Sequence, residues 1–436
     1  MSQPPFPPSV WAAVTPPGPE LTPLEGDRAC DAVVIGGGFT GLSTALHLAE
    51  AGVETVLLEA VAPGWGASGR NNGQVIPTLT RPDPEAIVAR HGAGGERLVA
   101  VIRDSAADLF DLVRRLDLQA EAEQTGWIQP VHTPGRIRIA EERVRQWSAV
   151  GAPVSLLSKD EVRELTGSGI WHGGWTNPTG GHINPLALSR ELARAAIAAG
   201  AQLYGRTPAE RIEREEGAGT EGGWIVQTPN GRVRARRLML ATNAYTGEFS
   251  AALAPAVARE VIPFMSWQMA TEPVGDNVRR SVIPGRQAIS DTHGDLYFTR
   301  FDARHRLITG GRLLIPVNGR RRLEARIGRR LERMFAPLGR TGFDYVWNGY
   351  IGMTTDFMPR FHRLGPGGFA WAGCNGRGVG LSVALGREFA KALQDAPEEE
   401  LGFPLTEPTP LPAHGLLRRL APLRLLEYRW RDSREI

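Results

Sequence analysis

The stretch VVIGGGFTGLSTALHLAEAGVETVLLEA, residues 33–60, limits the fold more than any other part of the chain. It runs from an apolar strand through glycines spaced GxGxxG into a small-residue helix, then into a second apolar strand ending on Glu59. Gly36 permits a tight turn, Gly38 lets backbone N–H groups approach a pyrophosphate, and Gly41 lets the helix pack closely on the strand. The helix N-terminus at Phe39 and Thr40 favours phosphate charge. Glu59, about 20 residues on and followed by Ala60, is placed to accept from ribose hydroxyls. The segment predicts a βαβ unit that holds a dinucleotide, its helix closed by Gly52.

This fingerprint alone fits NAD or FAD, and further cofactor-binding segments elsewhere in the chain would favour FAD. LMLATNAYTG, residues 238–247, is a buried strand that ends in small and polar residues, among them Ala241 and Thr242. GCNGRGVGLSVALG, residues 373–386, is a second glycine-rich loop that opens a helix. Its Gly376, Arg377, Gly378, Val379 and Gly380 suit the pyrimidine end of a flavin, where negative charge develops on reduction. GWGASGRNNGQV, residues 64–75, has almost no core-forming side chains. Following Glu59, it is placed to run along the pyrophosphate toward the flavin ring, with Ser68, Arg70, Asn71 and Asn72 as contacts and Gly73 allowing close approach. The same stretch also reads as a surface loop with an Asn-Gly turn.

A chain of 436 residues exceeds the size at which one core stops growing, which favours two domains. Its net charge of +3 comes from dispersed arginines, with lysine only at Lys159 and Lys391, so nucleic-acid binding is set aside. Cys30 and Cys374 stand far apart without metal-ligand spacing, which argues against a disulfide scaffold and a metal site. No secretory signal is legible and no apolar run approaches a membrane span, so a cytoplasmic protein is expected. The first 23 residues are proline-dense and read as an extended arm anchored by Trp11. Helices with exposed Arg and Glu are expected over 86–150, interrupted by a strand at GWIQPVH, and another helix follows GGHINP. Strands are expected within 201–240, with a hairpin at PNG, and within 255–315, followed by a basic helix at RRLEARIGRRLERMFAPL.

The fingerprint, GASGRNNGQV, GGHINP, ATNAYTG, WNGYIGMTTDFMP and GCNGRGVGLSVALG, in that order, resemble the FAD-dependent D-amino-acid oxidase superfamily, most of all its γ-glutamylputrescine oxidase branch. The resemblance runs to about residue 395. It implies a mixed α/β fold, in which a discontinuous, glutathione-reductase-like Rossmann domain binds FAD and an antiparallel-sheet substrate domain (α+β) covers the flavin. Its bounds are taken as an arm at 1–27, FAD-binding segments at 28–85, 155–250 and 345–395, substrate-domain segments at 86–154 and 251–344, and a tail at 396–436. The implied reaction is oxidation of an amine C–N bond by hydride transfer to flavin N5, then imine hydrolysis and reoxidation by oxygen to give hydrogen peroxide. Sarcosine-oxidase-type relatives attach FAD through a cysteine near the stretch matching GYIGMTTD. That stretch has none here, so FAD is expected to bind non-covalently. Those relatives also use a lysine for oxygen activation, and RHRLITGGR has none, which leaves open a dehydrogenase with another electron acceptor.

A non-catalytic flavin-binding subunit is the reading from a different class. Catalytic side chains are not fixed by the sequence, and the candidates are His182, Arg377 and Tyr350. Trp347, Tyr350, Tyr297, Phe298 and Trp267 are candidate walls around an amine, each also readable as core. Cys374 reads as a small packed side chain. Arg300, Arg312 or Arg377 could pair with a substrate carboxylate. The C-terminal LLRRLAPLRLLEYRWR has an apolar and a basic side, which fits docking on its own domain or contact with a membrane. A homo-oligomer is compatible with all of these.

Overall fold

The computed structural model describes residues 4–215, 222–313 and 319–435. Its first sheet grows from the βαβ unit. Strand Arg28–Ile35 pairs in parallel with Thr55–Leu58 on one side and with Gly231–Leu240 on the other. Gln202–Tyr204 extends the sheet beyond Thr55–Leu58, and Gly368–Ala372 then Arg360–Gly365 extend the opposite side. The expected PNG hairpin is present, with Gly223–Thr228 antiparallel to Gly231–Leu240 in a register that sets Thr228 opposite Gly231. In the register, Ile35 stands beside both Leu58 and Leu240, and Leu240 beside Ala370. Four parallel strands therefore release their following loops at one rim, where open α/β sheets bind ligands.

Helix Phe39–Glu50 lies between helices Pro185–Ala198 and Gly378–Leu393. Small residues make the second approach close: the Ser43 hydroxyl donates to the Val383 carbonyl at 2.7 Å. Leu42, Ala45 and Leu46 bury this face against Leu381, Val383 and Leu385.

The second sheet has the order Phe343–Met353, Ile262–Thr271, Leu307–Gly311, Phe298–Phe301, Ala288–Ser290, Trp127–Pro130, Gly174–Asn177, Ser155–Leu157. All neighbours are antiparallel except Ala288–Ser290 with Trp127–Pro130. Helix Gly319–Met334 buries Leu323, Ile327 and Leu331 near it. A two-stranded bridge, Gln74–Val75 with Gly181–His182, links the region of the 64–75 loop to this sheet, because the Gln74 amide also donates to the Ile289 and Thr299 carbonyls.

Sheet pairing corrects several sequence expectations. Ser155–Leu157, Gly174–Asn177 and Phe343–Met353, which fall in or overlap the segments expected to bind FAD, pair within the second sheet instead. Strand partners far apart in sequence decide that membership, and local composition does not record them. The arm is not extended throughout, because Val10–Val14 forms a short helix capped by the Ser9 hydroxyl, which accepts from Ala12 N–H. The run from Ser9 to Thr15 contains no proline, so one helical turn is free to form there. Trp11 is the expected anchor, fully buried and donating from Nε1 to the Asn71 carbonyl at 2.9 Å. The C-terminal helices His414–Leu420 and Arg424–Arg434 dock on the second sheet's end. Leu425 is buried, Asp432 accepts from Gly294 N–H, and Arg429 pairs with Asp295 at 3.0 Å. Leu416, Leu420, Leu423, Leu426 and Trp430 remain exposed on the tail. Among the described residues, no helix is long and apolar enough to cross a membrane.

Candidate active site

The rim of the first sheet opens into a cleft that continues to the second sheet. At its first end, Gly36 turns with φ of 109°, a conformation side chains rarely adopt. A Cβ on Gly41 would overlap the Gly36 carbonyl oxygen, so the helix can begin this close to the strand only without one. Glu59 is buried, with Oε2 accepting from Gly37 N–H at 2.7 Å and Oε1 from Val61 N–H at 2.9 Å. Burial raises its carboxyl above the ordinary value, although these backbone donors oppose the rise. Gly36, Gly38, Phe39, Thr40, Glu59 and Ala60 line the cleft.

The 64–75 loop forms its next wall through Ser68, Arg70, Asn71 and Asn72. The Ser68 hydroxyl accepts from Phe39 N–H at 3.0 Å, over the start of the helix. The asparagine side chains mainly hold the loop. Asn71 donates to the Ser68 carbonyl at 2.8 Å and accepts from Gly73 N–H at 2.8 Å, and Asn72 accepts from Gln74 N–H at 2.8 Å. Such contacts over two or three residues form wherever Asn meets a tight turn. The Arg70 guanidinium lies 4.3 Å from the Trp65 ring centre while Nε donates to the Trp65 carbonyl.

Ala241, Thr242, Gly376, Arg377, Gly378 and Val379 complete the cofactor-facing set expected from sequence. Gly41, Gly73 and Gly380 do not line the cleft but pack behind it, Gly380 against the Ser105 carbonyl. Arg377 is 4% exposed, with its guanidinium 4.8 Å from the Trp127 ring centre. Burial, helped by Arg143, pulls its pKa down to about 9. Cys374 also lines the cleft.

Among the expected aromatic walls, Tyr350 and Phe298 line the cleft, while Trp347, Tyr297 and Trp267 do not. Trp347 is core and donates to the Arg70 carbonyl at 2.8 Å. Tyr245, not singled out from sequence, stands beside Tyr350 and accepts from its N–H at 3.2 Å. Arg312 lines the cleft and Arg300 does not; each of the latter's three guanidinium nitrogens donates to a carbonyl, of Asn72, Phe301 and Ile183. His182 is also absent from the cleft. It is fully buried, with Nε2 at 3.0 Å from the Arg286 carbonyl, and burial holds it neutral. Ser266, Gln268 and Trp371 were missed, and the alternation of Ser266 and Gln268 around Trp267 in an otherwise apolar strand was the available signal.

A second cavity of about 840 Å³ adjoins the cleft, walled in part by the tail residues Leu417, Ala421, Tyr428 and Asp432.

The family described as FAD dependent oxidoreductase matches residues 31–392. Gamma-glutamylputrescine oxidoreductase of Escherichia coli (strain K12) is 29% identical over 391 residues, covering 89% of each chain. L-Proline dehydrogenase from P. horikoshii superimposes with a TM-score of 0.71 at 18% identity, over 87% of this chain and 96% of that one. Glycine oxidase from Geobacillus kaustophilus gives 0.69 at 20% identity, over 85% and 96%. With its glycine-lined rim facing a largely antiparallel sheet and a family match across most of its length, this chain belongs to the FAD-dependent oxidoreductases.

Proposed function

We propose that the chain oxidises the C–N bond of a small amine, using non-covalently held FAD that oxygen reoxidises. One observation carries the reading: Thr40 Oγ1, Gln268 Oε1, Trp371 Nε1 and Arg377 Nη1 are buried without partners among the described residues, and all four residues line the same cleft. Buried polar groups without partners are costly, and a polar cofactor extended along the cleft gives them partners. The residues fit FAD in kind. Glu59 offers acceptors for ribose, the helix start at Thr40 and the Ser68 hydroxyl suit the pyrophosphate, and the loop Gly376–Gly378 lines the other end. Bound there, FAD supplies a two-electron acceptor for the hydride of the carbon beside the amine nitrogen. Phe298, Leu296 and Met353 make that part of the cleft apolar, which favours the deprotonated amine and leaves its proton in water. Tyr350 and Tyr245 help position the substrate. The imine that forms in the substrate is hydrolysed to a carbonyl compound and an amine or ammonia.

A second reading has a specific observation in its favour. Neither lysine lines the cleft, and Lys391 is held by Glu388 at 2.7 Å, so an acceptor other than oxygen is the alternative. The test is anaerobic mixing of the purified yellow protein with γ-glutamylputrescine, polyamines, N-methyl amino acids and D-amino acids. Bleaching of the flavin by one class is expected, followed by recovery and peroxide formation on admitting air. Bleaching without recovery in air would assign the dehydrogenase, and no bleaching by any amine would sink the proposal. Acid precipitation should leave all flavin in the supernatant.

A further inference from the structure

Helix His414–Leu420, the turn Ala421–Leu423 and helix Arg424–Arg434 follow one another along the end of the second sheet, outside residues 31–392 that the family matches. One side of this path is held by the body of the protein. His414 Nε2 stands 2.8 Å from the Val261 carbonyl, Leu425 is buried, Arg429 pairs with Asp295, and Asp432 accepts from Gly294 N–H. Leu417, Ala421 and Tyr428 on the same side wall the second, outer cavity. The other side has no cover. Leu416, Leu420, Leu423, Leu426 and Trp430 are each between 45% and 58% exposed. They recur at three- and four-residue intervals, which sets them along one stripe, opposite the docked side. Leu156, Ile197, Phe249 and Met265 are exposed elsewhere, but singly, which is ordinary for a protein surface.

The charge on the tail selects its partner. Between His414 and Glu435 stand six arginines and three carboxylates, an excess of three that equals the net charge of the whole chain, +3. The carboxylates are engaged within the protein: Glu427 holds Arg424 and Arg431 at 3.0 Å, Asp432 accepts from Gly294 N–H, and Glu435 holds Arg136. Arg418, Arg419 and Arg434 are exposed and have no ion-pair partner among the described residues. The Arg434 guanidinium lies 4.4 Å from the Trp430 ring centre. A second copy of the chain would bring the same excess of arginine against this one. A stripe of leucines bordered by arginines instead matches a surface that is anionic outside and apolar beneath, and the indole of Trp430 suits the boundary between the two.

We propose that the outer face of the tail docks on an anionic lipid bilayer, with the leucine stripe and Trp430 sunk to the level of the acyl chains and the arginines at the headgroups. The tail lies along the bilayer rather than across it, since no described helix is long and apolar enough to span one. Leu420 and Leu423 belong both to the stripe and to the wall of the outer cavity, where the exposed Ile139 joins them. Docking therefore sets that side of the cavity against the lipid surface. The inference does not depend on which reaction the cleft carries out.

The test is flotation of the full-length, flavin-loaded protein with vesicles of phosphatidylcholine alone and of phosphatidylcholine mixed equally with phosphatidylglycerol. Binding to the mixed vesicles only is expected, weakened in about 0.5 M salt. The double variants Leu426→Ser/Trp430→Ser and Arg419→Gln/Arg434→Gln should each weaken it at least about tenfold. Their flavin content should be unchanged, since none of the four residues lines the cleft or the outer cavity. Absence of wild-type binding to the mixed vesicles overturns the proposal, and this arm stands even where a variant fails to fold. Equal binding to both kinds of vesicle rejects the anionic partner. Full binding by Leu426→Ser/Trp430→Ser, with loss in the arginine variant, also overturns the proposal, because general adsorption of a basic segment needs no apolar stripe. Sedimentation without lipid decides the other occupant: self-association that disappears in Leu426→Ser/Trp430→Ser, with no vesicle binding, would assign the stripe to contact between copies instead.

Discussion

Glu59 is held by two backbone N–H groups, so its orientation is set before any ligand arrives. Burial raises its carboxyl above the ordinary value, and hydroxyl donors from a ribose favour the ionised form. The sign follows. As pH falls through the raised value, FAD must bind a protonated acid that accepts less well, so affinity should drop by up to about tenfold per pH unit. In Glu59→Gln the affinity should be about tenfold weaker at neutral pH and nearly flat with pH. Fluorescence titration of apoprotein with FAD between pH 4.5 and about 7.5 checks both points, and a variant with the wild-type slope would reject this role for Glu59. The place of Glu59 at the cleft was legible from sequence, because it depends on a fixed offset within one βαβ unit. Asn71 and Asn72 were only half legible: the loop position was right, but an amide can bond either a ligand or its own backbone, and local geometry favours the latter.

The N-terminal arm shows what one short element can fix. Its five-residue helix inserts Trp11 between the 64–75 loop and the second sheet. Trp11 meets Trp347 edge-on at 6.1 Å, lies under the Arg300 guanidinium at 4.8 Å and bonds the Asn71 carbonyl. Trp347 and Arg300 in turn hold the carbonyls of Arg70 and Asn72, so three consecutive residues of the 64–75 loop hang from this cluster. Trp11→Ala should cost about 3–5 kcal/mol by leaving a cavity at a fully buried site. Because the loop loses its backing, FAD should also dissociate faster. Urea unfolding of the apoprotein and flavin release from the holoprotein measure the two effects separately. Normal flavin retention in a destabilised variant would show that the arm supports the fold but not the loop. The anchor was readable as the one tryptophan in a proline-dense stretch, whereas its partners were not, since both lie hundreds of residues away.

At the scale of the whole molecule, two sheets built from interleaved segments line the cleft, and the tail walls part of the outer cavity. Local signals located most strands, but the sheet each joined depended on partners that a single sequence does not reveal. The seam between tail and second sheet contains a titratable stack. His132 lies 3.8 Å from His293, which lies 3.9 Å from Tyr297, and His132 Nε2 stands 3.9 Å from Asp432 and 3.8 Å from Glu435 of the tail. Burial, then the neighbouring His293, lowers the His132 pKa to about 4, from an ordinary value of 6.5. Between these values the unfolded chain takes up a proton that the folded one refuses. Stability from this group is therefore complete above pH 6.5 and is lost progressively as pH falls toward 4. His132→Gln removes that linkage while keeping a side chain able to meet the Thr292 hydroxyl, which stands 2.9 Å from His132 Nδ1. On going from about pH 7 to about pH 5, the wild-type melting temperature should fall further than the variant's. The comparison uses slopes rather than absolute temperatures, because losing the ring stack lowers the variant's stability at every pH. Parallel slopes would place the acid sensitivity of the molecule elsewhere than at the docked tail.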